Sequence, residues 1–239
     1  MTTTHHRVNR LPGIILASIS LATLAVLQGC ATPQAMPMSP DDRAALKQEP
    51  IIHVVHSDSP ALQITTPARV AGVGLITAAT GSTGLPSGAE LERAYSLQDA
   101  AGELSEKLVH KLQNEHSMRN LRVEPALPQL PDDLHAASYR GKYPSDLVLE
   151  VTVLNQSAWY GVVSWRTYEY GMLAKARLIR VADAKIIWAD TCVTNNGDDY
   201  KLNVSDFEAN DGARLKQVFH LATDQCSQAL AQNLLSNLQ

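Results

Sequence analysis

Three stretches between residues 146 and 193 alternate apolar and polar residues, and this feature constrains the fold most. In residues 146–154 the apolar positions share one face: Leu147, Leu149, Val151 and Val153. Residues 168–181 and 185–193 repeat the alternation, and Asp183 and Ala184 lie between them as a tight turn. Period-two alternation is typical of β-strands, and short connections predict an antiparallel meander of three strands.

Two amphipathic helices accompany these strands. The first is predicted over residues 90–115, from a stripe of apolar residues: Leu97, Ala101, Leu104, Leu108 and Leu112. The second is predicted near the C-terminal end, from a similar stripe: Leu215, Phe219, Ala222, Cys226, Leu230 and Leu234. Shorter strands are predicted over 51–56, 62–65 and 119–123. The expected fold class is α/β (α+β), an antiparallel or mixed sheet with a three-strand meander covered by two amphipathic helices.

The N-terminal stretch indicates export. Arg7 and Arg10 precede fourteen residues without a charged side chain, which is short for a bilayer span and typical of a signal peptide. The stretch ends in Leu27-Gln-Gly-Cys30, which resembles a bacterial lipoprotein signal. That resemblance implies that the Cys30 thiol carries diacylglyceryl and that Cys30 becomes the first mature residue. The alternative is an ordinary secretory signal that happens to contain a cysteine.

The predicted domain organisation follows from this signal. Residues 1–29 form the signal peptide, residues 30–50 form a flexible tether with four prolines, and residues 51–239 form a single α/β domain. Ala31 stands where an aspartate retains enterobacterial lipoproteins in the inner membrane. By resemblance, the protein is expected to be lipid-anchored in the outer membrane, on its periplasmic face.

Cysteine count and net charge restrict the cellular compartment and the class of partner that suit the domain. The chain has three cysteines, so a lipidated Cys30 leaves Cys192 and Cys226. A disulfide suits the oxidising periplasm, and two buried free thiols are the alternative. Residues 1–29 hold two arginines and no acid, so their removal takes the formal net charge from −4 to −6. This mild acidity argues against a nucleic-acid partner.

No sequence motif predicts catalysis. HExxH, CxxC, GxSxG and phosphate-loop patterns are absent from the sequence, and neither a cofactor nor a metal is predicted. His53 and His56 are three residues apart on a predicted strand, so they point to opposite faces. We therefore expect no enzyme. An envelope hydrolase is the alternative and would need Asp132, His135 and Asp199 in one pocket.

Two segments are candidates for contact with other molecules. The first contains five of the twelve aromatic residues: Trp159, Tyr160, Trp165, Tyr168 and Tyr170. Trp159, Tyr160 and Trp165 at the hairpin tip are candidates for contact with a protein partner or with a membrane interface, and cross-strand packing is the alternative. The second is residues 70–89, which hold five glycines and no lysine or arginine. This segment predicts either self-association or membrane contact, or a flexible connection into the next helix.

Several of these strand and turn patterns resemble a group of uncharacterised proteobacterial lipoproteins over residues 145–235. The residues that carry the resemblance are in four segments: 145–151, 168–171, 176–180 and 185–188. The resemblance implies no catalytic residue. The predicted function is a non-catalytic envelope binding or assembly factor that is anchored in the membrane and binds another envelope protein. The alternative is a subunit of an oligomeric envelope or secretion complex, including a homo-oligomer.

Overall fold

The structure is a computed structural model in which eight segments are described: residues 35–48, 50–66, 85–116, 118–128, 139–143, 147–160, 166–194 and 197–239. None of the helices in these segments combines the length and the apolar character that crossing a bilayer requires. The described segments pack together as one unit, which begins at residue 35.

A mixed sheet of seven strands is the centre of this unit. The strands are β1 (Ile52–His56), β2 (Gln63–Thr65), β3 (Leu121–Val123), β4 (Leu147–Tyr160), β5 (Thr167–Arg180), β6 (Lys185–Thr194) and β7 (Lys201–Asn203). Their main order is β3-β1-β4-β5-β6, while β2 pairs with β4 and β7 pairs with β5. Pairing is parallel among β1, β2, β3 and β4 and antiparallel among β4, β5, β6 and β7. The predicted fold class and meander are confirmed.

Four helices of the described segments complete the fold: α1 (Pro40–Leu46), α2 (Gly88–Tyr95), α3 (Ala100–His116) and α4 (Ala213–Ser236). The apolar stripes of α3 and α4 pack against one sheet face, which we call the inner face, and all six predicted stripe residues of α4 are buried. The predicted single helix over 90–115 is wrong. Ser96 has a left-handed φ of 50°, which ends α2, and the Asp99 carboxylate accepts the Gly102 N–H at the start of α3.

The opposite sheet face, which we call the outer face, is covered over only part of its area. A second apolar cluster covers the end where β4 begins: Val55, Tyr139, Tyr143, Val148, Ile179 and Val181. Beneath Tyr139 lies an ion pair between Glu150 and Arg177, whose side chains are both less than a tenth exposed. Alternate residues of β4 and β5 therefore supply two cores, one on each face.

A disulfide joins the edge of the sheet to its covering helix. Cys192 on β6 and Cys226 on α4 are bonded, with their Cα atoms 5.4 Å apart. Both side chains belong to the inner core, since Cys192 is 6% exposed and Cys226 is fully buried. The predicted pairing is confirmed, and it fixes β6 to α4.

The predicted flexible tether over residues 30–50 needs correction in its described part, and residues 30–34 and 49 lie outside the described residues. Residues 36–48, which we call the strap, contain α1 and bury Met38 and Leu46 against the domain. Ser39 caps α1 by accepting the Asp42 N–H at 3.2 Å, and Pro40 occupies the first helical position. A serine cap, a proline at the first position and acids in the first turn favour a helix start, which outweighs the disordering effect of the nearby prolines.

Candidate interaction surface

The strap lies across the free edge of β6. Met36 and Ala189 exchange two backbone hydrogen bonds in an antiparallel bridge, at 2.8 and 3.4 Å. The Met38 N–H then donates to Asn237 Oδ1 at 3.2 Å, close to the end of α4. The strap is thus attached both to the sheet edge and to the covering helix.

A buried carboxylate holds α1 in place. Asp42 is 2% exposed, and its oxygens accept hydrogen bonds from Arg180 Nη1 at 2.6 Å and from Lys185 Nζ at 3.4 Å. Burial raises the pKa of Asp42, but the hydrogen bonds from Ser39 and Lys185 and the charges of Lys185 and Arg180 outweigh it. The pKa of Asp42 is therefore below its usual value.

The same arginine ties the strap to the turn between β5 and β6. Arg180 forms a two-bond contact with Asp183, at 2.9 and 2.7 Å, in addition to its bond with Asp42. The hydrogen bonds from Arg180 lower the pKa of the Asp183 carboxyl to about 2. Arg180 is thereby held in a fixed orientation toward α1.

Trp159 and Tyr160, the two described residues of the predicted aromatic tip, point to opposite faces. Tyr160 packs against the inner core, while Trp159 lies on the outer face over Gly171. A Cβ at position 171 would stand 2.4 Å from Trp159 Cη2, so the ring lies directly on the β5 backbone. Trp159 and Tyr160 therefore do not form one patch, and Trp165 lies outside the described residues.

An open groove begins beside Trp159. Its volume is about 140 Å³, and it is lined by residues of three strands, none of them charged: Asn155, Ser157, Trp159, Gly171, Met172, Leu173, Val193 and Thr194. Val193 at its rim is 51% exposed, and Leu154 in the adjacent β4 bulge is 44% exposed. The groove combines apolar walls with amide and hydroxyl groups, which is the composition of a binding surface.

The β6 edge beside this groove is partly protected. The strap covers Ala189, and the Thr191 N–H donates to the carboxylate of Asp190 at 2.8 Å. Burial raises the pKa of Asp190, and the Thr191 N–H partly offsets this effect. Such devices limit uncontrolled strand pairing, and they leave Val193 as an exposed apolar residue at this end of the edge.

A buried carboxylate with a histidine neighbour connects two helices. Glu103 on α3 accepts a hydrogen bond from Thr223 Oγ1 at 2.6 Å and pairs with Lys107 at 2.9 Å and His220 at 2.8 Å. Burial raises the pKa of Glu103, but these three partners outweigh it and leave the pKa below its usual value. Across the described segments, no three His, Cys, Asp or Glu side chains are grouped to hold a metal ion. This cluster is an interhelical contact.

The remaining predicted positions are distributed as follows. Cys30, Asp132, His135 and most of the glycine-rich segment, up to residue 84, lie outside the described residues. Asp199 is exposed in a 3₁₀ turn over Asp198–Tyr200. The two histidines of β1 face opposite sides, as predicted, because His53 stacks on Tyr143 while His56 lies beside Gly102 of α3.

Sequence reasoning missed two parts of this surface. Asp42 was detectable in principle, because the run Ser39-Pro40-Asp41-Asp42 has the features of a helix start. Val193 carried no comparable indication, since its exposure depends on β6 being an edge strand, and edge position is a property of strand order.

Comparison with known proteins identifies no family. No family model and no curated protein matches the chain. Similar solved structures include protein XCC0632 from Xanthomonas campestris (DUF330), at 15% identity, covering 78% of this chain and 84% of that chain, with a TM-score of 0.43. They also include the PelC dodecamer from Paraburkholderia phytofirmans, at 15% identity, covering 74% and 86%, with a TM-score of 0.29.

A third similar structure is lipoprotein GNA1162 from Neisseria meningitidis, at 15% identity, covering 71% of this chain and 98% of that chain, with a TM-score of 0.26. The structures similar to this chain therefore include a proteobacterial lipoprotein.

Proposed function

We propose that this chain is an envelope lipoprotein, acylated at Cys30, whose domain binds another envelope protein without catalysis. The basic and apolar N-terminal stretch that ends in Cys30 supports export and acylation. The Cys192–Cys226 disulfide fits an oxidising compartment. The outer-face groove beside Trp159 and Val193 offers a surface for the partner.

The attachment of the strap is the observation that carries this proposal. Because the strap is bound to the domain from Met36 onward, only residues 31–35 separate Cys30 from the first attached residue. Six residue steps extend at most about 20 Å. The anchor would therefore hold the binding surface close to the membrane, where a partner embedded in the envelope is accessible.

Acylation can be tested with Cys30→Ser. The wild-type mature protein is expected to carry the mass of its acyl chains and to sediment with membranes, because two or more chains give stable anchoring. Cys30→Ser should lose both properties, whereas the control Cys192→Ser/Cys226→Ser should keep the acyl mass. Membrane sedimentation that Cys30→Ser leaves unchanged would contradict the anchor. Density-gradient separation of the two membranes tests the outer-membrane location.

Partner binding can be tested by crosslinking in intact cells. A photo-crosslinking amino acid at Val193, on the groove rim, is expected to capture one discrete protein, and Trp159→Ala should reduce that capture at least tenfold. Leu221 on the solvent side of α4 is a matched control, since it is an exposed apolar residue remote from the groove. Equal capture from positions 193 and 221 would contradict a partner at the groove.

Self-association is the second candidate function, and the exposed Val193 on an edge strand favours it. In that case the species captured from position 193 would be a second copy of this chain. Native mass spectrometry of the acylated protein in detergent distinguishes the two candidates, because a monomer excludes the homo-oligomer.

A further inference from the structure

We propose that the protein has a preferred orientation on the membrane, with the β6 edge, including Met36 and Val193, facing the lipid headgroups and β3 facing away. This proposal rests on the proposed acylation of Cys30 and adds to it a defined membrane-facing side. The occupant of the edge itself is the lipid surface, while the outer-face groove beside it stays available to a partner embedded in the same membrane.

The position and direction of the strap give the orientation. Met36 is the first residue paired to the domain, and it pairs at Ala189, near the middle of β6. Because this bridge is antiparallel, Ala35 precedes Met36 on the side of Met36 that leads toward Thr191. At full extension residues 30–36 reach at most about 20 Å, so the short connection at Met36 favours the β6 edge as the side nearest the anchor.

The width of the sheet makes the two edges distinguishable. β6 and β3 are four strand positions apart in the order β3-β1-β4-β5-β6, which corresponds to roughly 19 Å at the usual spacing between strands. Each edge carries an exposed valine, Val193 at 51% and Val123 at 44%. These two residues are therefore matched probes of which edge lies near the bilayer.

The chemistry of the β6 edge fits contact with a lipid surface to which the acyl anchor attaches the protein. Met36 is 44% exposed and Val193 is 51% exposed, so apolar side chains are presented on this edge. The neighbouring charges are balanced, because Lys185 and Arg180 are paired with Asp42 and Asp183. A surface of this kind has no strong preference for anionic lipid, so the orientation should be the same on zwitterionic and anionic vesicles and insensitive to salt.

The test uses the acylated full-length mature protein on phosphatidylcholine vesicles that contain a headgroup-linked nitroxide lipid. A fluorescent amino acid is incorporated at position 193 or at position 123, and quenching by the nitroxide is compared. We expect quenching at position 193 to exceed that at position 123 at least threefold. Equal quenching, or stronger quenching at position 123, in protein that still floats with the vesicles would overturn the orientation alone.

Lengthening the segment between Cys30 and Met36 provides an independent control. Ten Gly/Ser residues inserted between Ala31 and Thr32 should retain vesicle flotation but reduce the difference between the two probes to less than half. An undiminished difference between the two probes would show that the short segment between Cys30 and Met36 does not cause the orientation. Failure of the acylated wild-type protein to float would overturn the anchor itself, and with it the orientation.

Discussion

The outer face of the sheet has a closed half and an open half that differ in chemistry. In the closed half, Tyr139 and Tyr143 cover buried aliphatic residues, and the Tyr139 hydroxyl donates to Glu150 at 2.8 Å. In the open half, Trp159 and Leu173 border a groove that also contains polar groups such as the Asn155 amide. The closed half has the composition of a protein interior, whereas the open half has the mixed apolar and polar composition of a protein–protein interface.

Because of this difference, we expect the closed half to contribute to folding stability and the open half to contribute to binding. Burial and the adjacent Glu150 charge raise the pKa of Tyr139, so its hydroxyl remains a hydrogen-bond donor at all physiological pH values. In an ion pair as buried as Glu150 and Arg177, removal of one partner leaves the other charge buried and uncompensated. Substitutions in the closed half should therefore reduce the free energy of unfolding, and substitutions in the open half should reduce binding instead.

The largest effect is expected from Arg177→Ala in the closed half. Removal of the guanidinium leaves the Glu150 carboxylate buried without its cation, which typically costs about 3–5 kcal/mol. Chemical denaturation measures the change in the free energy of unfolding. Lys175→Ala, on the same strand and face but partly exposed, is the control and should change stability by less than about 0.5 kcal/mol. A loss below about 1 kcal/mol for Arg177→Ala would show that the closed half does not depend on this pair.

A slightly smaller effect is expected from the disulfide, which supports the open half from the inner side. Cys192→Ala/Cys226→Ala removes a crosslink between residues 34 apart, and the chain-entropy model gives roughly 3–4 kcal/mol for such a loop. Denaturation of the oxidised wild type and the double variant, both without reductant, provides the comparison. Equal unfolding midpoints would mean that packing alone holds β6 against α4.

The strap gives an intermediate, pH-dependent effect. Because the folded pKa of Asp42 is below its unfolded value, its contribution is complete above the unfolded value, about 4, and is lost as the pH falls through the lower folded value. Asp42→Asn should cost about 1–3 kcal/mol at pH 7, and the difference from wild type should shrink below pH 4. Denaturation at pH 3–7 measures this difference.

Hydrogen exchange of residues 36–48 in the same two proteins locates the effect. Faster exchange in the strap of Asp42→Asn, with unchanged exchange in β4, is the expected pattern. Asp41→Asn is the matched control, because Asp41 is exposed in the same helical turn. A pH-independent difference between wild type and Asp42→Asn would exclude the carboxylate charge as the cause.

The sequence predicts which residues of a strand or helix share a face. It does not predict which strands lie next to each other. The period-two pattern of β4 and β5 places Leu149 and Glu150 on opposite faces, and the stripe of α4 places Cys226 in the core. The insertion of β1 between β3 and β4 is not predictable, because strands of three to five residues carry little register information. Which half of the outer face is covered depends on that strand order.

Local patterns also misled at two points. Leu97 continues the apolar spacing of α3, which concealed the break at Ser96, because helical periodicity does not report backbone dihedrals. The opposite orientation of Trp159 and Tyr160 follows from the same strand alternation that separates His53 from His56. Applied to the aromatic hairpin, that rule would have placed Trp159 alone on the outer face.

The smallest effect on stability, and the sharpest test of the open half, is expected from Val193→Asp. The side chain is 51% exposed on an edge strand, so the substitution should change the free energy of unfolding by no more than about 0.5 kcal/mol. A charge in a groove with an uncharged lining should nevertheless prevent partner binding, because its desolvation would be uncompensated.

Denaturation measures the free energy of unfolding of Val193→Asp, and in-cell crosslinking from position 173 measures capture of the partner by the same variant. Val193→Thr is the isosteric control. Retained crosslinking would show that the open half is not the binding surface, while a stability loss above about 1 kcal/mol would show that the open half, like the closed half, contributes to folding.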